Sequence, residues 1–195
     1  GLILSGAIWL LNQFPVHPLL TVTKSGLLLL VATLVGASLA KFVQRLWELI
    51  PICLAMTLAD FASWSHGPTA VFSEQIQQYY LAPEGPPPLV DMILVKLAFP
   101  GTVGLAPVFG ISDWIMVVFF ACVAHRYQIN DNLIGPTGEF LAQRKQFGRY
   151  LPVSVVALLL AVILAQSTGL FIPALPLIAL VMLAWYGIRY LRNFK

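Results

Sequence analysis

Apolar residues run along this chain in long unbroken blocks, with neither the period-two alternation of half-buried strands nor clear one-sided helical stripes. Blocks of this kind suit helices that are apolar all round. They predict six membrane spans: Leu2 to about Phe14, about Leu19 to Ala40, Leu46 to about His66, about Leu105 to Ala124, Leu151 to Thr168, and about Pro173 to Tyr190. Two polar connections are long. The first, Gly67 to Gly104, contains the stiff stretch APEGPPP (Ala82 to Pro88) and then LVDMILVKLAF (Leu89 to Phe99), which predicts a strand or hairpin at the membrane surface. The second, His125 to Tyr150, reads as a polar, basic loop.

Composition agrees with the pattern. Of 195 residues, 59% are hydrophobic and only 10% charged, whereas soluble domains carry about 25% charged residues. A bilayer is the expected solvent, and continuous apolar runs favour helices over a closed barrel. The expected fold class is therefore all-α: a polytopic transmembrane bundle forming one membrane domain over 1–195. The chain opens on Gly1 rather than Met, so helices upstream of it are expected, and no cleavable signal peptide is.

The net charge of +3 matters less than its distribution. If the spans alternate, Lys41, Arg45, Arg126, Arg144, Lys145, Arg149, Arg189, Arg192 and Lys195 share one side, and only Lys24 and Lys96 fall on the other. The excess of basic residues marks the cytoplasmic side. A cytoplasmic C-terminus follows, with the Gly67 to Gly104 connection on the far side. Cys53 and Cys122 lie inside apolar runs and read as small buried hydrophobes. With no CxxC and no His/Cys cluster, neither metal nor cofactor is expected, and no nucleic-acid partner either. His17, His66 and His125 fall at the ends of spans and read as interfacial or capping residues. Trp47, Trp64, Tyr127, Tyr186 and Tyr190 fit interfacial or packing roles, while Trp114, beside Asp113, is placed to shape its surroundings.

Two charges break the pattern. Asp60 sits in LIPICLAMTLADFASW and Asp113 in APVFGISDWIMVVFFACVA. A carboxylate at the bilayer centre costs about 2.5–3.5 kcal/mol on insertion scales, so such residues face protein or water rather than lipid. Asp60 lies six residues before the far-side end at His66, and Asp113 eight after Leu105. Those steps correspond to depths of about 9 and about 12 Å. The carboxylates can then face each other and share one proton, an arrangement suited to activating water against a peptide bond. The same spacing also fits a proton relay in a transporter or scaffold, or one Asp bonding a neighbouring helix.

A third element narrows the choice. The last span opens FIPALPLI, so Pro173, Ala174 and Leu175 form a Pro-Ala-Leu helix start. An Asp helix, then Gly-x-x-Asp, then Pro-Ala-Leu, in that order, resembles the presenilin and signal peptide peptidase family of intramembrane aspartyl proteases. Prepilin peptidases share a Gly-x-Gly-Asp motif but lack the Pro-Ala-Leu helix. The resemblance covers about 46–195 and implies a presenilin-like catalytic core there, with 1–45 supplying the helices before it. It implies that Asp60 and Asp113 are the catalytic pair and that Gly110, Ile111, Ser112, Pro173, Ala174 and Leu175 line the site. Two positions depart from the family pattern: Ala59 stands where the family has Tyr, and Ser112 where it has the second Gly, adding a hydroxyl able to bond the Asp. A catalytically silent relative is the alternative these departures imply. Pro173 and Pro176 lack N–H groups and leave backbone open near the pair. An extended substrate could add to the Leu89 to Phe99 strand.

The basic split resembles the orientation of the signal peptide peptidase branch. It implies substrates with a cytoplasmic N-terminus, such as leftover signal peptides or type II membrane proteins. The 53-residue step from Asp60 to Asp113 leaves no room for a long cleavable loop. Expected partners are a transmembrane peptide substrate and the lipid bilayer, with no need of partner subunits; the oligomeric state stays open.

Overall fold

The computed structural model describes residues 18–81, 88–98, 105–168 and 173–193. The first expected span, most of APEGPPP, and Phe99 lie outside them. The fold is predominantly helical: α1 (Pro18–Ala40), α2 (Leu49–His66), α3 (Pro68–Leu81), β1 (Leu94–Ala98), β2 (Leu105–Gly110), α4 (Ile111–Arg126), α5 (Gly138–Gln143), α6 (Val153–Thr168) and α7 (Ala174–Asn193). Two segments, Leu19–Ala40 and Leu46–Ser65, are long and apolar enough to cross a membrane, and Val153–Ala165 and Ala174–Arg189 are shorter apolar helices.

α4 is the centre of the bundle. It packs against α1, α6 and α7, and Met116, Val117, Phe119, Phe120, Val123 and Ala124 are all buried. The α1 contact depends on small residues. Ala32, Gly36 and Ala40 recur every fourth position on the buried face of α1, and such residues let two backbones approach closely. A Cβ at Gly36 would lie 2.5 Å from the Ile115 carbonyl oxygen, closer than any side chain tolerates. On the other faces of α1, Thr23, Thr33 and Ser38 donate their hydroxyls to the carbonyls of Leu19, Leu29 and Leu34, four residues back. This hides polar groups inside the helix. α1 ends at Ala40, where Arg126 Nη1 donates to the carbonyls of Ala40 (3.4 Å) and Lys41 (2.9 Å), a cationic cap on a helix C-terminus.

α2 packs differently. Its tertiary neighbour is α7, with α3 following it in sequence. Ile50, Leu54, Leu58 and Phe61 are exposed. Gly67 stops the helix, its N–H bonding the Ser63 carbonyl, and Pro68 opens α3. Pro suits a first helical position, whose N–H has no partner in the ladder.

Three expectations need correction. The Gly67 to Gly104 connection is not a plain loop: α3 occupies its first part. The expected strand over Leu89 to Phe99 begins as a 3-10 turn, Leu89–Ile93, and only Leu94–Ala98 is strand. It pairs antiparallel with Leu105–Gly110, with a bulge between Val95 and Lys96. That partner strand takes the first six residues of the expected fourth span, so the helix starts at Ile111. Pro107 explains the difference, since its missing N–H and fixed φ fit an edge strand better than a helix interior.

The His125 to Tyr150 connection is built rather than slack. It holds α5 and a 3-10 turn at Phe147–Arg149. Fully buried Asn132 donates to the carbonyls of Pro136 (2.8 Å) and Arg149 (2.9 Å) and accepts from the N–H groups of Ile134 and Leu151. Trp185 Nε1 of α7 donates to the Asn130 carbonyl at 2.8 Å. The Tyr150 hydroxyl donates to Asp131 Oδ2 at 2.7 Å. Burial pushes the Asp131 carboxyl above the usual carboxylate range, and the Tyr150 bond opposes that shift. Cys53 is buried and Cys122 partly buried, both as free thiols. His125 is exposed, with Nδ1 3.3 Å from Glu139.

Candidate active site

The strand-to-helix junction at Gly110 sets the position of Asp113. β2 runs directly into α4, with Gly110 extended (φ −80°, ψ 160°) as the residue before the helix. Asp113 is therefore in the first turn of α4, not two turns inside a span, and the expected depth of about 12 Å below a helix end does not hold. Its Oδ2 accepts the Gly110 N–H at 2.9 Å. A carboxylate at this position satisfies an orphan amide and meets the positive end of the helix dipole. Ser112 is exposed, and it is the Gly110 amide, not the Ser112 hydroxyl, that bonds Asp113. The Ser112 hydroxyl nonetheless stays at the junction: a Cβ at Gly110 would lie 3.4 Å from Ser112 Oγ and 3.5 Å from Asp113 Oδ2. Ile111 is partly buried at the helix start.

Asp60 comes from α2, and its counterpart is the start of α7. Pro173 precedes that helix and Pro176 stands in its first turn. Neither has an N–H, so the free donors of this helix start are few and specific. One of them, the Leu175 N–H, bonds the Asp60 carboxylate. Asp60 Oδ2 is buried and has no hydrogen-bond partner among the described residues. An unpartnered buried carboxylate oxygen is costly and calls for an explanation at a functional level.

The two carboxylates lie close enough for the charge of Asp60 to act on Asp113. α7 makes this possible: it packs against both α2 and α4, with Ala174 and Leu175 packed against the buried core. Asp60, Asp113, Gly110 and the Pro173-Ala174-Leu175 start thus lie near one another, and the exposed Ser112 keeps its hydroxyl beside Gly110. Ala59 is exposed on α2. Among the described residues no cluster of His, Cys, Asp or Glu could hold a metal ion.

The supporting residues include Trp114 and Tyr186, both named from the sequence, and Thr33, Phe109 and Ser25, which were not. Trp114 Nε1 donates to Thr33 Oγ1 of α1 at 3.1 Å, and its ring stacks on Phe109 of β2, centroids 6.1 Å apart. This fastens strand, junction and helix together on either side of Asp113. Farther along α4, the buried Tyr186 hydroxyl of α7 donates to the Phe120 carbonyl at 2.6 Å. On the hairpin, Ser25 Oγ of α1 accepts the Lys96 N–H (3.3 Å) and donates to its carbonyl (3.5 Å). The outer edge of β1 is therefore occupied at Lys96, which argues against adding a substrate strand there. The Ala32, Gly36, Ala40 spacing of α1 is a further sequence signal, not read above, that could have pointed to this scaffold.

No protein-family model matches the chain, and neither a curated protein nor a solved structure matches it at a significant level.

Proposed function

We propose that the chain is a multi-pass membrane protein of the presenilin and signal peptide peptidase type, hydrolysing peptide bonds within the membrane with Asp60 and Asp113. The observation carrying this reading is the convergence of three sequence-distant elements: the Asp60 carboxylate, the Asp113 carboxylate, and the Leu175 N–H of the Pro-Ala-Leu start. In the proposed reaction the ionised Asp takes a proton from a water whose oxygen bonds to the scissile carbonyl carbon. The protonated Asp gives its proton to the carbonyl oxygen. Collapse of the resulting diol breaks the C–N bond as one diol hydroxyl returns its proton to the second Asp and re-forms the carbonyl, and the proton held by the first Asp passes to the leaving nitrogen. Asp60 Oδ2, free of protein donors among the described residues, is the acceptor suited to that water. The hairpin delivers an extended substrate along β2, whose end is three residues from Asp113. The C-terminus faces the cytoplasm, and substrates enter with a cytoplasmic N-terminus.

One observation favours the rival, in which the pair is non-catalytic or relays protons: the Gly110 bond gives Asp113 a purely structural task. Cleavage of a transmembrane reporter by the reconstituted protein separates the two. Asp60→Ala and Asp113→Ala should each lower the rate by at least about 10²-fold, as loss of acid–base catalysis requires. Full cleavage by both variants would end the proposal.

A further inference from the structure

The end of the bundle where α1 and α4 finish carries a surface that hydrolysis does not use. Arg126 and Tyr127, at the end of α4, donate to the carbonyls of Ala40, Lys41 and Val43, so the connection after α1 and the loop after α4 sit side by side. α6 starts from the same loop, where the Val153 N–H bonds the Asp131 carbonyl. The two segments long and apolar enough to span, Leu19–Ala40 and Leu46–Ser65, flank the turn at 41–45. In a bilayer that they cross, this turn lies among the headgroups.

Two kinds of side chain are exposed at this end. Lys41, Arg45, Arg144, Lys145 and Arg149 are cations. Phe42 (78% exposed), Trp47 (60%) and Ile134 (64%) are large and apolar. Phe140 is exposed as well, with the Arg144 guanidinium carbon 4.3 Å from its ring centre. The carboxylates here are engaged elsewhere. Asp131 is buried and accepts the Tyr150 hydroxyl, Glu139 lies 3.3 Å from His125, and Glu48 accepts the Gln44 N–H. Among the described residues no ion pair joins any of the five cations to a carboxylate. The turn after α5 shows how the two kinds are sorted. It closes at Lys145, whose φ of 55° is left-handed, with the Gln146 N–H on the Leu141 carbonyl at 2.8 Å. Leu141 is buried beneath, and Arg144 and Lys145 stay outside.

Water alone solvates the cations and leaves the apolar groups exposed. An apolar partner covers the second set and strands the first. An anionic headgroup layer above acyl chains satisfies both. On the proposed orientation this end meets the cytoplasmic leaflet, whose surface is the anionic one. We propose that it binds anionic lipid: Lys41, Arg45, Arg144, Lys145 and Arg149 hold headgroup phosphates, and Phe42, Trp47, Ile134 and Phe140 enter the boundary beneath them. The inference rests on the membrane-spanning part of the proposed function and is independent of peptide hydrolysis.

The test offers the full chain in detergent micelles equal amounts of phosphatidylglycerol and phosphatidylcholine with identical acyl chains, removes free lipid and counts what is retained. Wild type should hold about tenfold more phosphatidylglycerol, and raising salt from about 50 to about 500 mM should erase most of the excess. Replacing all five cations by Gln should abolish it, whereas exchanging each Lys for Arg and each Arg for Lys should keep it. Equal retention by wild type, or an excess that survives the Gln set, would overturn the proposal. Displacement by inorganic phosphate beyond that by chloride at equal ionic strength would assign the cations to a soluble anion. Binding of polyglutamate without any phosphatidylglycerol excess would assign them to an acidic protein. Either result overturns it. A nitroxide on Ile134→Cys, with Cys53 and Cys122 changed to Ala, should collide more with oxygen than with a water-soluble nickel chelate in phosphatidylglycerol vesicles. The reverse order would place Ile134 in water and contradict the proposal. A chain that passes these tests yet cleaves nothing keeps the lipid surface and loses only the proteolytic reading.

Discussion

α2 and α4 each carry one aspartate in an apolar helix, and by composition they are near twins, yet they are held in opposite ways. α4 is enclosed by α1, α6 and α7, and Phe120 at its middle is fully buried. α2 leans on α7 and leaves Leu54 60% exposed. Asp113 is fixed by the amide of its own junction, whereas Asp60 is held by an amide from another helix and keeps one oxygen unpartnered. The difference suggests a division of labour. A rigid element fixes one carboxylate, and an edge element, free to adjust against α7, brings the other. Local stability is lowest where few apolar contacts form, so α2 is the half of the pair expected to move when a substrate helix approaches.

The sharpest way to break this contrast is to truncate matched apolar side chains. Phe120→Ala should cost about 3–5 kcal/mol of stability, and Leu58→Ala, on the exposed face of α2, less than about 0.5 kcal/mol. Equal losses in denaturation assays would mean that α2 is as tightly packed as α4. Next in size is Gly36→Ala, which forces a methyl onto the Ile115 carbonyl and should cost about 1–3 kcal/mol. The same change at Gly26, where a Cβ meets nothing within 4 Å, should be neutral or slightly stabilising, because Ala is the better helix former.

A smaller effect separates the aspartates themselves. Asp113→Ala strands the Gly110 amide and should lower stability by about 1 kcal/mol. Asp60→Ala removes an unpartnered buried oxygen while stranding one amide, so the net change should be smaller. Thermal melts of the two variants would reverse this order if Asp60 were the structural residue of the pair.

The smallest effect concerns the loop after α4. The Asp131 carboxyl is raised above its unfolded value by burial. Its contribution to folding is therefore fully present below the usual carboxylate range and is lost as pH climbs through the raised value. The Tyr150 hydroxyl bonds the ionised form, so Tyr150→Phe should cost more at pH 7 than at pH 4, by under about 1 kcal/mol. An equal cost at both pH values would show that Asp131 stays in one protonation state.

Run length made the helices of 18–40, 49–66, 153–168 and 174–193 legible, with ends near those expected. Asp60 falls within an expected helix and Ala174 at an expected helix start because each lies in such a run. β2 was not legible because LAPVFG continues the hydrophobicity of α4 without a break, and a short apolar run does not distinguish strand from helix. Pro107 and Gly110 were the available signals. α3 was passed over for its low hydropathy, although Pro68 and the Glu/Gln-rich turns after it favour a helix. Nor could the pattern tell which Asp helix is central, since both are apolar all round and only their neighbours distinguish them.

The central claim is that Asp60 and Asp113 act as one pair. A peptide isostere carrying a hydroxyl in place of the scissile carbonyl tests it directly, because both carboxylates must bind that hydroxyl together. Labelling by a photoreactive isostere should be strong in wild type and lost in both Asp60→Asn and Asp113→Asn. Labelling that survives either substitution, or that fails in folded wild type, would contradict the pair.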